Sequence, residues 1–247
     1  MTFCIGILLK EGLVAIADTR ITSGSECTSA RKMYVSKKKK HSLFMMTSGL
    51  RSLRDKAITY FEEALSDETK NYDKMFKAVN VLSQQLRIVA QEDKEILEKS
   101  GLNFNIHCLV GGQLEKDETH KLFLVYPQGN WVEITEGTPY HIIGASGYGK
   151  PVLDRTLKYT DPIKHALKVA ILAFDSTRIS NNEVDYPIDL AIYPTNSFEM
   201  NEFRLCKEDL SEIAEWWQER LRSSVNEIPA SKVDEILSRI KNMPICK

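Results

Sequence analysis

The segment Thr2 to Leu9 is a strand-forming run in which only Thr2 and Gly6 interrupt Phe, Cys, Ile and Leu. A strand without a polar face has to be covered on both sides, so it belongs centrally, between a second sheet and a helix layer where water is scarce. Leu13 to Arg20 repeats the pattern, and Lys10-Glu11-Gly12 between the runs reads as a hairpin turn completed by glycine. With Leu9 opposite Leu13, Thr2 faces Arg20 and Asp18 is its diagonal neighbour on the same face, at roughly 7–8 Å between backbones. A slip of one residue would move Asp18 to the other face.

Thr2 follows a methionine, which is normally removed when the next residue is small. Removal would leave Thr2 with a free α-amine two bonds from its hydroxyl-bearing carbon. Such an amine titrates near pH 8 and can accept the hydroxyl proton, which is one way of activating a threonine nucleophile. An ordinary strand threonine behind a retained methionine is the alternative reading of Met-Thr alone.

Farther along, Arg31–Ser36 and His41–Thr47 flank Lys37 to Lys40 and predict a second hairpin with a solvated tip. Gly49 follows it. Ala57, Tyr60, Phe61, Ala64 and Leu65, then Met75, Val79, Leu82, Leu86 and Val89, predict two helices separated by the polar break from Ser66 to Asn71. Short strands follow over 105–112, 121–126, 130–135 and 140–143. The glycines from Gly144 to Gly149 form a strand-to-helix turn, with a helix to about Tyr159 and another carrying Ala166, Val169, Ala170, Ala173 and Phe174. That turn lacks the lysine-serine ending and acidic ribose partner of nucleotide loops. A strand pair (187–194 and 197–206), a helix from Leu210 to Leu221 and a short helix after Pro229 complete the chain. Strand groups alternating with helix pairs suit an α+β fold of antiparallel sheets with helices on their outer faces.

A chain of 247 residues with 43% hydrophobic content can build one large domain. Its 33 basic and 34 acidic residues create no global field for nucleic acid or an anionic membrane. There is no apolar run long enough to span a bilayer and no secretory leader, so a cytoplasmic protein is expected. Cys4, Cys27, Cys108, Cys206 and Cys246 are scattered without a CxxC pair, which argues against a disulfide framework and a zinc site. No cofactor or metal is expected.

Thr2, Asp18 in Ala-Asp-Thr-Arg, Lys32 in Arg-Lys-Met, Gly49 after a strand, Gly-Ala-Ser-Gly around Ser146 and Asp175 after a helix occur in that order along most of the chain. Together they resemble the proteasome-type threonine peptidases of the N-terminal nucleophile hydrolases, and most closely the Anbu group of bacterial homologues. The resemblance implies a four-layer αββα sandwich. It makes Thr2 the nucleophile, its α-amine the base, Asp18 and Lys32 the charged partners and the Gly49 N–H the oxyanion donor. Lys32 taken alone would be read as a surface lysine. Ser146 and Asp175 would support the amine; the serine usual three residues after that aspartate is replaced by Arg178, leaving Ser180 as a substitute. The side-chain pocket would draw on Arg20, Met46 and Thr47.

The resemblance also implies a peptide or protein substrate and a homo-oligomer, a single ring or open spiral of about a dozen subunits. The peptidase domain would span residues 1–224. A helical extension, 225–247, has an apolar stripe suited to a subunit interface. A hydrolase of non-peptide amides and a catalytically silent scaffold are the alternative readings.

Overall fold

The first two strands, β1 (Phe3–Leu9) and β2 (Gly12–Asp18), are buried at every position, as a run without a polar face requires. The computed structural model describes residues 2–38, 40–66 and 72–240. Met1, Lys39 of the lysine turn, most of the polar break after Ser66 and the chain beyond residue 240, Cys246 included, lie outside the described residues.

After β2 come β3 (Arg20–Ser23), β4 (Glu26–Ser29), β5 (Met33–Lys38) and β6 (His41–Gly49), then helices α1 (Arg51–Ser66) and α2 (Met75–Lys99). Strands β7 (Ile106–Leu114), β8 (Lys121–Val125), β9 (Trp131–Glu133) and β10 (Tyr140–Gly144) lead to α3 (Lys150–Thr156) and α4 (Ile163–Ser180). Strands β11 (Ile188–Pro194) and β12 (Asn201–Leu205) precede α5 (Lys207–Asn226) and α6 (Ser231–Ser238).

The strands form two five-stranded antiparallel sheets, ordered β10-β1-β2-β11-β12 and β5-β6-β7-β8-β9, with β3 and β4 as a separate hairpin. Side-chain alternation gives each sheet two apolar faces. Cys4, Leu8, Leu13, Ala15 and Ala17 from the first sheet meet Met33, Phe44, Met46, Leu109, Leu122 and Leu124 from the second in one buried core. On the other side of the second sheet, Met45, Cys108, Val110 and Phe123 pack with Leu53, Phe61, Val79, Leu82 and Leu86 of α1 and α2. The ring of Phe3 meets that of Phe174 at 6.1 Å, which sets α4 against the outer face of β1. The layers are therefore αββα, as expected.

The first hairpin closes one residue tighter than predicted: Leu9 pairs with Gly12 and Leu8 with Leu13. Gly12 is drawn into the sheet because it lies beside Pro194 on β11, at φ +150°, where a Cβ would stand 2.0 Å from the Tyr193 carbonyl oxygen. What was predicted as one strand to Arg20 instead ends at Asp18, and the chain turns out into the β3–β4 hairpin. Helix α3 stops at Thr156, short of Tyr159.

The chain divides into two compact units, residues 1–208 and 209–247, and α5 runs unbroken through residue 224. In the second unit the C-terminal end of α5 and α6 carry exposed Leu221, Val225, Val233, Ile236 and Leu237.

Candidate active site

Thr2 has the parity of Cys4 and Leu8, so it faces the second sheet, at the mouth of the inter-sheet core. It is 7% exposed. Its carbonyl accepts a 2.7 Å hydrogen bond from the Ala145 N–H, and the next residue along, Phe3, donates its amide to Asp18 Oδ1 at 2.8 Å. Gly144 makes the first of these contacts feasible: with φ +91°, an added Cβ would lie 1.9 Å from the Thr2 oxygen. A non-glycine residue here would displace Thr2.

Because the β1–β2 register is one residue tighter, Asp18 sits beside Phe3 and is not the diagonal neighbour of Thr2. It stays at the site because it ends β2, where its carboxylate can turn toward the start of β1. Lys32, just ahead of β5, donates to both Asp18 oxygens at 2.8 and 2.9 Å. Asp18 is fully buried and Lys32 is 4% exposed, with the Lys32 carbonyl accepting from the Thr47 N–H. Burial pushes the Asp18 carboxyl above its ordinary range, while the Lys32 charge and hydrogen bonds from Lys32 and Phe3 pull it back.

A cleft of about 900 Å³ joins Thr2, Lys32, Thr47 and Gly49, with Arg20 and Gly144 on its walls. Gly49 ends β6 and is exposed to the cleft. The hydroxyl of Thr47 is buried without a partner among the described residues. Met46, expected in the pocket, points the other way into the core between the sheets, because it alternates with Thr47 along β6. Arg20 is held by Asp185 at 2.9 Å.

Two residues expected to support the amine, Ser146 and Asp175, reach the same end of the fold. Ser146 follows Ala145, whose amide fixes Thr2. Asp175 is buried on α4 next to Phe174, and its Oδ1 accepts from Arg178 Nη2 at 2.8 Å. Its Oδ2 is buried without a partner among the described residues. Arg178 also lies 5.3 Å from the Tyr186 ring. Ser180 is not brought in: it is the exposed last residue of α4, while Arg178 occupies the aspartate.

Sequence reasoning missed Arg51 and Arg54, which line the cleft, and Glu26 on β4. Two arginines three residues apart, the first of them two residues after Gly49, share one face of a helix and could have been found by that spacing. Among the described residues no group of three His, Cys, Asp or Glu is arranged to hold a metal ion. Cys4 is an inert core thiol pushed well up by burial.

The sequence matches the family model for proteasome subunits over residues 2–187. Several solved structures share the fold over 92% of this chain. They include a Gly-1 mutant of Anbu from Hyphomicrobium sp. strain MC1, at 31% identity and a TM-score of 0.85, matched over 99% of its length. Anbu, described as an ancestral β-subunit, from Yersinia bercovieri matches at 32% identity and 0.85 over 98% of its length. A helical assembly of the Anbu complex from Pseudomonas aeruginosa matches at 28% and 0.87 over 97%. No protein among the curated ones matches at a significant level.

Proposed function

This chain belongs to the proteasome subunit family as an Anbu-like member, and from that premise we propose that it is a threonine-type N-terminal nucleophile hydrolase that cleaves peptide bonds. The observation that carries the reading is the buried Lys32–Asp18 pair in the cleft that also holds Thr2 and Gly49. A lysine on a solvated surface has no need of such a partner; a charge held beside a hydroxyl lowers the cost of an alkoxide.

Cleavage of the bond before Thr2 exposes its α-amine. The Thr2 hydroxyl oxygen attacks the substrate carbonyl while its proton passes to that amine, and the oxyanion is received by the Gly49 N–H. Collapse breaks the amide bond, the leaving nitrogen takes the proton back, and an ester to Thr2 remains. Water, deprotonated by the same amine, attacks the ester and restores the hydroxyl. Asp18 keeps Lys32 charged and in place; Ser146 and Asp175 orient the amine from the other side.

A peptide suits the cleft because, among the described residues, β3 pairs only with β4, and Ile21 and Thr22 of β3 line the cavity. An extended substrate can add to such an edge through backbone hydrogen bonds. We also propose that the protein is cytoplasmic and a homo-oligomer, a ring or open spiral of about a dozen subunits, with residues 225–247 at the subunit interface. Among the described residues no helix is long and apolar enough to cross a membrane.

The test is labelling with a threonine-reactive epoxyketone, read by intact mass, beside hydrolysis of fluorogenic peptides. Thr2→Ala should abolish labelling and hydrolysis, and Thr2→Ser should retain part of both. Hydrolysis by the alanine variant at the wild-type rate would refute the mechanism.

A further inference from the structure

Helix α1 begins at Arg51, two residues after Gly49, and its first turn carries no acidic residue but contains Arg51 and Arg54. Positive charge at this end is against the usual pattern, since the exposed N–H groups of a helix start already present a partial positive charge. Both arginines line the cleft. Arg54 is 7% exposed and donates through Nε and Nη2 to Asp55 Oδ1 at 2.9 and 2.8 Å. Arg51 reaches the other oxygen of the same carboxylate at 3.3 Å, and its side chain is 59% exposed. Among the described residues one aspartate therefore serves two guanidinium groups, which leaves one positive charge over at the cleft wall. The two other cations of the wall are matched one to one, Lys32 by Asp18 and Arg20 by Asp185.

A side chain neighbouring a carbonyl held at Gly49 falls within reach of this turn, since two residues of chain span at most about 7 Å. Thr47 lies on the same wall with a buried hydroxyl that has no partner among the described residues. Among the described residues the lining holds a single carboxylate, Glu26, which is exposed and pairs with Ser23 at the tip of the β3–β4 hairpin; Arg20 lies at the base of that hairpin, opposite Ser29. The negative charge is thus at the rim, roughly 10 Å along the strand from Arg20.

We propose that the cleft selects acidic peptides, holding a glutamate or aspartate side chain beside the bond to be cut against Arg51 and the first turn of α1. This rests on the reading of the cleft as the place where a substrate carbonyl meets Thr2. A carboxylate suits the planar guanidinium fork, which grips both oxygens at once.

The test uses the full chain freed of Met1 and three fluorogenic peptides that differ only in Glu, Leu or Lys at the residue donating its carbonyl to Thr2. A binding arm measures the same sequences by fluorescence anisotropy on the Thr2→Ala variant, which needs no turnover. The glutamate peptide should bind about tenfold or more tighter than the lysine peptide, as expected for a charged hydrogen bond in a partly desolvated site. Arg51→Glu, at an exposed position that threatens no core packing, should reverse that order. Equal binding of the Glu and Lys peptides, or an order unchanged in Arg51→Glu, overturns the proposal. Hydrolysis of all three peptides by the wild type without charge preference overturns it too and leaves the hydrolase reading standing. A binding preference that switches with Arg51→Glu in a protein that cleaves none of them upholds the selection of acidic peptides by the first turn of α1 and removes only the hydrolase reading on which the position of the cut bond rests.

Discussion

Lys32 is buried in an ion pair with Asp18, and in the mechanism proposed above its charge also acts on Thr2, so the residue should be doubly sensitive. Removing one member of a buried ion pair leaves the other uncompensated, so Lys32→Ala should lose activity and about 3–5 kcal/mol of stability in chemical denaturation. Lys32→Arg should also be inactive, because the longer planar guanidinium, although it can grip both Asp18 oxygens, cannot place a compact charge toward Thr2 in a site where Lys32 is only 4% exposed. Acid should act on Asp18 in a distinct way. Its folded carboxyl lies above the ordinary 3.8 because of burial, so the acid limb of kcat/KM should fall at a higher pH than that. The stability sign is opposite to that of a typical ion-paired carboxylate. A group that binds its proton more tightly when folded loses stabilising effect as pH rises through the folded value, not as pH falls. On acidification, activity should therefore disappear before circular dichroism reports unfolding; coincident loss of both would contradict this.

Elements explain which parts of the site were legible beforehand. The central place of β1 could be read from its two apolar faces, but the face that Thr2 takes could not, because both faces are equally apolar. The register of β1 could not either, because Gly12 is a turn residue by composition and a sheet residue by virtue of β11 lying close beside it. The β3–β4 hairpin was missed for a different reason: β4 is exposed at all four positions, so no apolar alternation marks it. Met46 and Thr47 were grouped as pocket residues, although adjacent strand positions face opposite ways and only Thr47 reaches the cleft. The β10–α3 turn gives a prediction of its own. Gly144→Ala adds a Cβ against the Thr2 carbonyl at a backbone angle suited to glycine, so it should cost about 1–3 kcal/mol and lower kcat by moving the nucleophile. Thermal melts beside turnover measurements on one preparation will check both.

At the scale of the molecule, residues 1–208 have their own cores on both sides of the second sheet, whereas α6 displays apolar side chains at its surface. Truncation from Pro229 onward should leave that first unit folded and shift the protein to smaller assemblies by light scattering; an unchanged mass distribution would assign the extension no role between subunits. The burial of Thr2 sets a deadline on maturation. An aminopeptidase must draw an extended, unpaired N-terminus into its own cleft, and here the residue it would have to reach is 7% exposed, with its carbonyl tied to Ala145 and the next amide tied to Asp18. Removal of Met1 should thus have to precede docking of the first strand, and under the proposed mechanism the active fraction of a preparation should record a race between processing and folding at the time of synthesis. Excess methionine aminopeptidase supplied during expression should raise that fraction, measured by intact mass and turnover together, whereas the same enzyme added to the folded protein should change neither.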